Sequence, residues 1–148
     1  MMPFCERLSE QLAVVATIDP ADISGAAQNS DIFSMALHRR ALFILSTGAT
    51  VNTPGILVQI REAVDAAATG TTAAILSATA AAVTATDSQF LFEVSGEAMQ
   101  DGYTYLVGTV DAGAGATLAS MVVLADVERY HPASDRDLAS VVSIQAAN

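Results

Sequence analysis

Along most of this chain, apolar side chains alternate with polar or small ones at a period of two, the spacing of a strand with one buried face. Leu12 to Ile18 reads as a first strand and Ile32-Phe-Ser-Met as a short one. Arg40-Ala-Leu-Phe-Ile-Leu-Ser-Thr-Gly is nearly continuous apolar, the pattern expected of a central strand buried on both faces. Ile56, Val58 and Ile60 alternate with Leu57, Gln59 and Arg61. Gln89 to Ser95 sets Phe90, Phe92 and Val94 on one face. Tyr103 to Val110 and Thr117 to Asp126 complete the strands, the last with Leu118, Val122 and Leu124 on a common face. Turn chemistry separates them: Asp19-Pro-Ala-Asp, Ser24-Gly, Asn52-Thr-Pro-Gly and one helical turn from Glu97 closed by Gly102. Gly113-Ala-Gly115 reads as a tight hairpin connection.

Residues 63–86 break this rhythm. They are mostly Ala and Thr, with Gly70 among them. Ala favours helix, whereas Thr and Gly oppose a long one. The reading is a loop around residues 66–72, a strand around 74–78 and a second loop, the alternative being a short helix across one end of a sheet. Altogether about eight short strands with turn signals every 8 to 12 residues or so predict an all-β fold, an antiparallel β-sandwich or jelly roll. The helical intervals that an α/β fold would need are missing.

The two ends differ from the middle. Phe4, Leu8 and Leu12 recur every four residues behind Pro3, which predicts a short N-terminal helix or arm. Beyond the last strand comes a polar segment, Val127-Glu-Arg-Tyr-His-Pro-Ala-Ser-Asp-Arg-Asp, and then a second apolar run, Leu138-Ala-Ser-Val-Val-Ser-Ile. The organisation expected is an arm over 1–12, a β-sandwich domain over 13–127 and a C-terminal arm over 128–148.

Charge narrows the partners. The net charge is −10 over 148 residues, Lys is absent, and the six cations are Arg7, Arg39, Arg40, Arg61, Arg129 and Arg136. Nucleic-acid binding rests on clustered cations that displace counterions. Only Arg39-Arg40 is adjacent, so neither nucleic acid nor an anionic membrane is expected as a partner. No apolar run reaches the length of a transmembrane helix. The opening residues, acidic and without an apolar core, do not read as a secretory signal. Cys5 is the only cysteine, which precludes an intrachain disulfide.

Candidate chemistry is sparse. His38 and His131 have no further His to build a metal site, and His38, at a strand start, is read as exposed. Asp19 with Asp22, and Asp135 with Asp137, lack the ligand rhythm of a calcium loop and suit turns and caps. Glu93, Glu97 and Asp101 could seed a glycosidase pair, though acids on one short turn are more simply solvated. Tyr103 and Tyr105 share a strand face and could stack on a sugar; packing is the plainer role. Arg129-Tyr130 lies past the last strand, and Arg and Tyr are enriched at protein–protein hot spots. These residues point to no enzyme, no metal and no cofactor.

The C-terminal half carries a resemblance. Leu118-Ala-Ser-Met-Val-Val-Leu-Ala, then Arg129-Tyr130-x-Pro132-Ala133, then Asp137-Leu138-Ala139-x-Val141-Val142-x-Ile144 resembles small structural proteins encoded in tailed-phage genomes beside the major capsid protein. Val14 to Ile18, Arg40-Ala-Leu-Phe-Ile-Leu and Gln59-Ile-Arg-Glu agree loosely with the same group. The resemblance implies a jelly-roll virion protein of the head-decoration (cement) type, seated on the capsid surface, binding the major capsid protein and self-associating as a homotrimer. Expected interface residues are Phe4 and Leu8 at one end and Arg129, Tyr130, Leu138, Val141 and Ile144 at the other. The competing readings are another virion component, such as a tail-tube, tail-terminator or fibre-associated protein, and a carbohydrate-binding β-sandwich.

Overall fold

A computed structural model describes residues 11–50, 55–68, 74–80, 87–113 and 115–126. Among the described residues nine strands form two antiparallel sheets: β1 (Leu12–Asp22), β2 (Gln28–Asn29), β3 (Phe33–Ser34), β4 (Arg40–Thr50), β5 (Ile56–Ala63), β6 (Leu76–Ala80), β7 (Gln89–Ser95), β8 (Tyr105–Asp111) and β9 (Thr117–Asp126). Sheet one has the order β1-β9-β4-β7. Sheet two has the order β2-β8-β5-β6, with β3 also on β8. If β2 and β3 are taken as one interrupted strand, the first strand pairs with the last, the second with the second-last, and so inward to β5 with β6. That nesting is a long antiparallel hairpin wrapped into a barrel-like sandwich, the jelly roll that the strand rhythm predicts.

Period two explains which side chains meet. From sheet one, Phe43, Leu45, Met121 and Val123 point inward; from sheet two, Ile56, Ile60, Leu106 and Val110 meet them, all essentially buried. Phe33 and Phe43 join the sheets, their rings tilted with centroids 6.0 Å apart. Gly108 makes that contact possible. A Cβ there would sit 2.8 Å from Met121 Sδ and 3.2 Å from Phe43 Cδ1. Ser30, which separates β2 from β3, keeps this stretch paired. Its N–H donates to the Gly108 carbonyl at 2.8 Å, and its Oγ accepts the Gly108 N–H at 3.0 Å.

Four details depart from the sequence reading. The first strand runs on through Pro20, where a turn is expected. β1 is a sheet edge, where a proline costs no ladder bond, and register shifts between Val14 and Ala16 and between Ile18 and Ala21 absorb the irregularity. The chain turns instead at Ser24-Gly25, held by Asp22, whose Oδ1 accepts from the N–H groups of Ser24 (3.0 Å) and Thr117 (3.1 Å).

Second, the connection at Gly113 is no hairpin. β8 and β9 lie in different sheets, so the chain crosses the sandwich there, with Gly113 at φ 64° and its N–H on Asp111 Oδ1. Third, His38 is buried rather than exposed, and its Nδ1 donates to the Asp126 carbonyl at 2.5 Å. Fourth, β4 is central but buried on its inner face only.

Elsewhere the reading agrees with the structure in outline, except that β8 begins at Tyr105 and leaves Tyr103 outside the strand it was expected to share. β5 and β7 bury the predicted faces. A strand occurs at Leu76–Ala80, paired with β5. The turn after β7 is a 3-10 turn, Gly96–Ala98, with Gly102 at φ 89° beyond it.

Candidate assembly interface

The outward face of a solvent-exposed antiparallel sheet is ordinarily polar, because only the inner face needs hydrophobic side chains. Sheet one does not follow this. Its outward residues line up in rows across the strands. Val14, Leu124, Leu42 and Glu93 form one row, and Thr17, Val122, Ile44 and Leu91 the next. On β9 the core takes Ala119, Met121, Val123 and Ala125, so parity alone turns Leu118, Val122 and Leu124 outward. Within the rows Leu91 is 64% exposed and Val122 38%; Leu118, 54% exposed, lies beyond the polar row of Ser46, Ser120 and Gln89. Contiguous apolar surface of this kind marks an interaction site more often than a single exposed Leu does.

Polar rows close the patch at both ends. At one end, Ser46 and Gln89 lie on adjacent strands, with Gln89 Nε2 donating to Ser46 Oγ at 3.4 Å. Past them a hollow of about 290 Å³ opens beside Gly48 and Leu118. At the other end a hollow of about 240 Å³ is lined by Leu12, Arg40, Leu42, Glu93, Leu124 and Asp126. Arg40 and Glu93 face each other at 3.5 Å, both well exposed, so the single acid in the aliphatic rows is matched by a cation. Asp126 is occupied as well: its Oδ1 accepts from the N–H groups of Arg39 (2.9 Å) and Arg40 (2.8 Å). The adjacent arginines, the one cationic cluster in the sequence, thus fasten the end of β9 through their backbone.

The outward face of sheet two is mainly polar. Gln59, Arg61, Ser77, Thr79, Tyr105, Thr109 and Asp111 hold most of the alternate positions of β5, β6 and β8, with Leu57 and the buried Val107 apolar among the rest. They bond to one another: Arg61 Nη2 donates to Gln59 Oε1 at 2.6 Å, and Thr109 Oγ1 to Asn29 Oδ1 at 2.8 Å.

The interface residues expected from sequence, Phe4, Leu8, Arg129, Tyr130, Leu138, Val141 and Ile144, all lie outside the described residues. So does His131. Of the candidate acids, Glu93 sits on the outer face of sheet one, while Glu97 and Asp101 are exposed on the turn after β7. Tyr105 belongs to the polar face of sheet two.

Sequence reasoning passed over Glu62, which continues the inward parity of Ile56, Val58 and Ile60 and is fully buried. Its Oε1 accepts the Gln100 N–H at 3.0 Å, and its Oε2 meets no partner. Among the described residues, no group of three or more His, Cys, Asp or Glu is placed to hold a metal ion. The aliphatic face was also missed, although its signal was present: the unbroken apolar run of β4 was assigned to burial on both sides.

No family model matches the chain, and no curated protein does. Among solved structures, a chain from work described as "Bacillus endospore appendages form a novel family of disulfide-linked pili" is similar at a TM-score of 0.45 and 14% identity. The match covers 86% of this chain and 100% of that one. A likeness of that degree does not bear on function.

Proposed function

We propose that this chain is a non-enzymatic structural subunit of a tailed-phage particle, a cement protein that seats on the lattice of the major capsid protein and stabilises the head. The observation that carries the reading is the pair of aliphatic rows on the outside of sheet one. Among the described residues nothing lies over them, and covering them with another protein removes apolar surface from water. Each Leu- or Val-sized side chain fully buried in this way contributes about 1.5 to 3 kcal/mol. Repetition over a lattice turns modest single contacts into firm attachment.

In this reading the aliphatic face, with Phe4, Leu8, Arg129 and Tyr130, contacts the shell, and the strip containing Leu138, Val141 and Ile144 links subunits into a homotrimer. The work done is mechanical: bridging capsomer boundaries opposes outward pressure on the shell. The sequence resemblance to phage head proteins supports the partner; the fold alone does not, since jelly rolls host many functions.

The test is co-sedimentation of the full chain with expanded shells of a tailed-phage major capsid protein, chosen from the genome that encodes this chain. Saturable binding, with shells that withstand higher temperature when decorated, is the expected result. Binding to tail structures with none to shells would overturn the assignment.

A further inference from the structure

A sandwich has four sheet edges, and each exposes unpaired backbone groups that can template another strand unless something blocks it. Three edges here are blocked or short. β1 carries two register shifts and Pro20. β2 and β3 are two residues each, split by Ser30 to Ile32. β6 has five residues.

β7 differs. Its seven residues pair with β4 in unbroken register from Arg40–Ser95 to Ser46–Gln89, with no proline and no bulge. Among the described residues nothing pairs with its far side. Its most exposed apolar side chain is Leu91, and its only charge, Glu93, is matched by Arg40.

We propose that β7 is a strand-addition site for a second copy of this chain, and that the added strand is residues 138–144, Leu-Ala-Ser-Val-Val-Ser-Ile. Three observations select this occupant. The segment has seven residues, like β7, with no charge, no proline and three β-branched side chains, a composition suited to a strand. It is tethered by residues 127–137 to Asp126, at the end of the sheet where Arg40 pairs with Ser95. Eleven residues reach up to about 36 Å, enough to leave one subunit and lie along the next.

Charge supplies the third. Two chains of net charge −10 repel wherever acids face each other, and both this segment and the β7 edge are free of uncompensated charge. Main-chain bonds would supply the attraction, and repetition of the same head-to-tail contact closes a ring. The proposal concerns contact between copies and holds whether or not their joint partner is a capsid shell.

The test uses the full chain and two variants, followed by light scattering over a concentration series and by amide exchange at residues 89–95. Leu91→Lys places a cation on the receiving edge at an exposed position; Val142→Pro removes a donor from the added strand. The native chain is expected to self-associate with slowed exchange in β7. Each variant alone should shift the association midpoint upward by about tenfold or more, with the core unfolding temperature unchanged.

Mixing the two variants should restore a dimer, because the Leu91→Lys copy keeps a good strand and the Val142→Pro copy a good edge. Variants that associate as the native chain does would overturn the proposal, and so would a native chain that stays monomeric. Slow β7 exchange that is independent of concentration yet abolished by Val142→Pro would place the segment on its own copy, which also overturns it.

Discussion

The outward faces of the two sheets share one fold, one strand spacing and one core, yet sheet two is mainly polar and the middle of sheet one is aliphatic. Sheet two shows Gln59 bonded to Arg61, Thr109 bonded to Asn29, and an exposed Thr79. Sheet one shows Leu42, Ile44, Val122, Leu124 and Leu91. Folding needs only the inner faces to be apolar, so the fold does not account for the difference. Solubility would favour polar residues on both. The aliphatic rows are therefore the part of the surface on which the proposed function rests.

The comparison can be broken most severely from the inside, where both sheets should respond together. Phe43→Ala removes the ring that packs on Phe33 and should cost about 3 to 5 kcal/mol, unfolding both sheets in one transition in a urea titration. Gly108→Ala forces a methyl against Met121 and Phe43 and should cost about 1 to 3 kcal/mol by the same measurement. Separate transitions for the two sheets in either variant would show that the core is not shared.

Effects on the outer faces should be smaller in stability and unequal in function. Thr79→Asp on sheet two should leave both stability, within about 0.5 kcal/mol, and association unchanged. The smallest effect concerns pH. The N–H groups of Ser24 and Thr117 hold the Asp22 carboxyl below its ordinary value, against a weaker opposing effect of desolvation. A depressed carboxyl stabilises the fold above its unfolded value, near pH 4, and that contribution is lost as pH falls through the folded value. Asp22→Asn should flatten the acid limb of a stability–pH curve and leave its neutral region less stable than the native chain. An unchanged acid limb would show that the turn does not depend on the carboxylate.

Much of the fold was legible because period two is local. Ile56, Val58 and Ile60, or Phe90, Phe92 and Val94, identify an inward face without any knowledge of the neighbouring strand. What sequence could not supply was the neighbour. Pro20 reads as a turn until β1 is seen to be an edge. Gly113-Ala-Gly115 reads as a hairpin until β8 and β9 are seen in different sheets. His38 reads as exposed until the end of β9 arrives beside it.

The aliphatic face was hidden for the same reason. Leu42 and Ile44 look like core residues because the sequence does not say that, among the described residues, no second layer lies beyond them. The parity of Leu118, Val122 and Leu124 was clear, but parity does not say which side is inside. The terminal residues Phe4, Leu8, Arg129 and Tyr130 were singled out by composition and position, and they lie outside the described residues.

The central claim is that the outer face of sheet one is the surface that meets the shell. Its most direct measurement is shell occupancy of the double variant Leu118→Asp/Val122→Asp, set beside Ser77→Asp/Thr79→Asp on the opposite face. All four positions point away from the core and lie off the β7 edge, so stability and self-association should hold in both. The account predicts that the first variant leaves shells bare while the second decorates them as the native chain does. Equal occupancy by the two would contradict it.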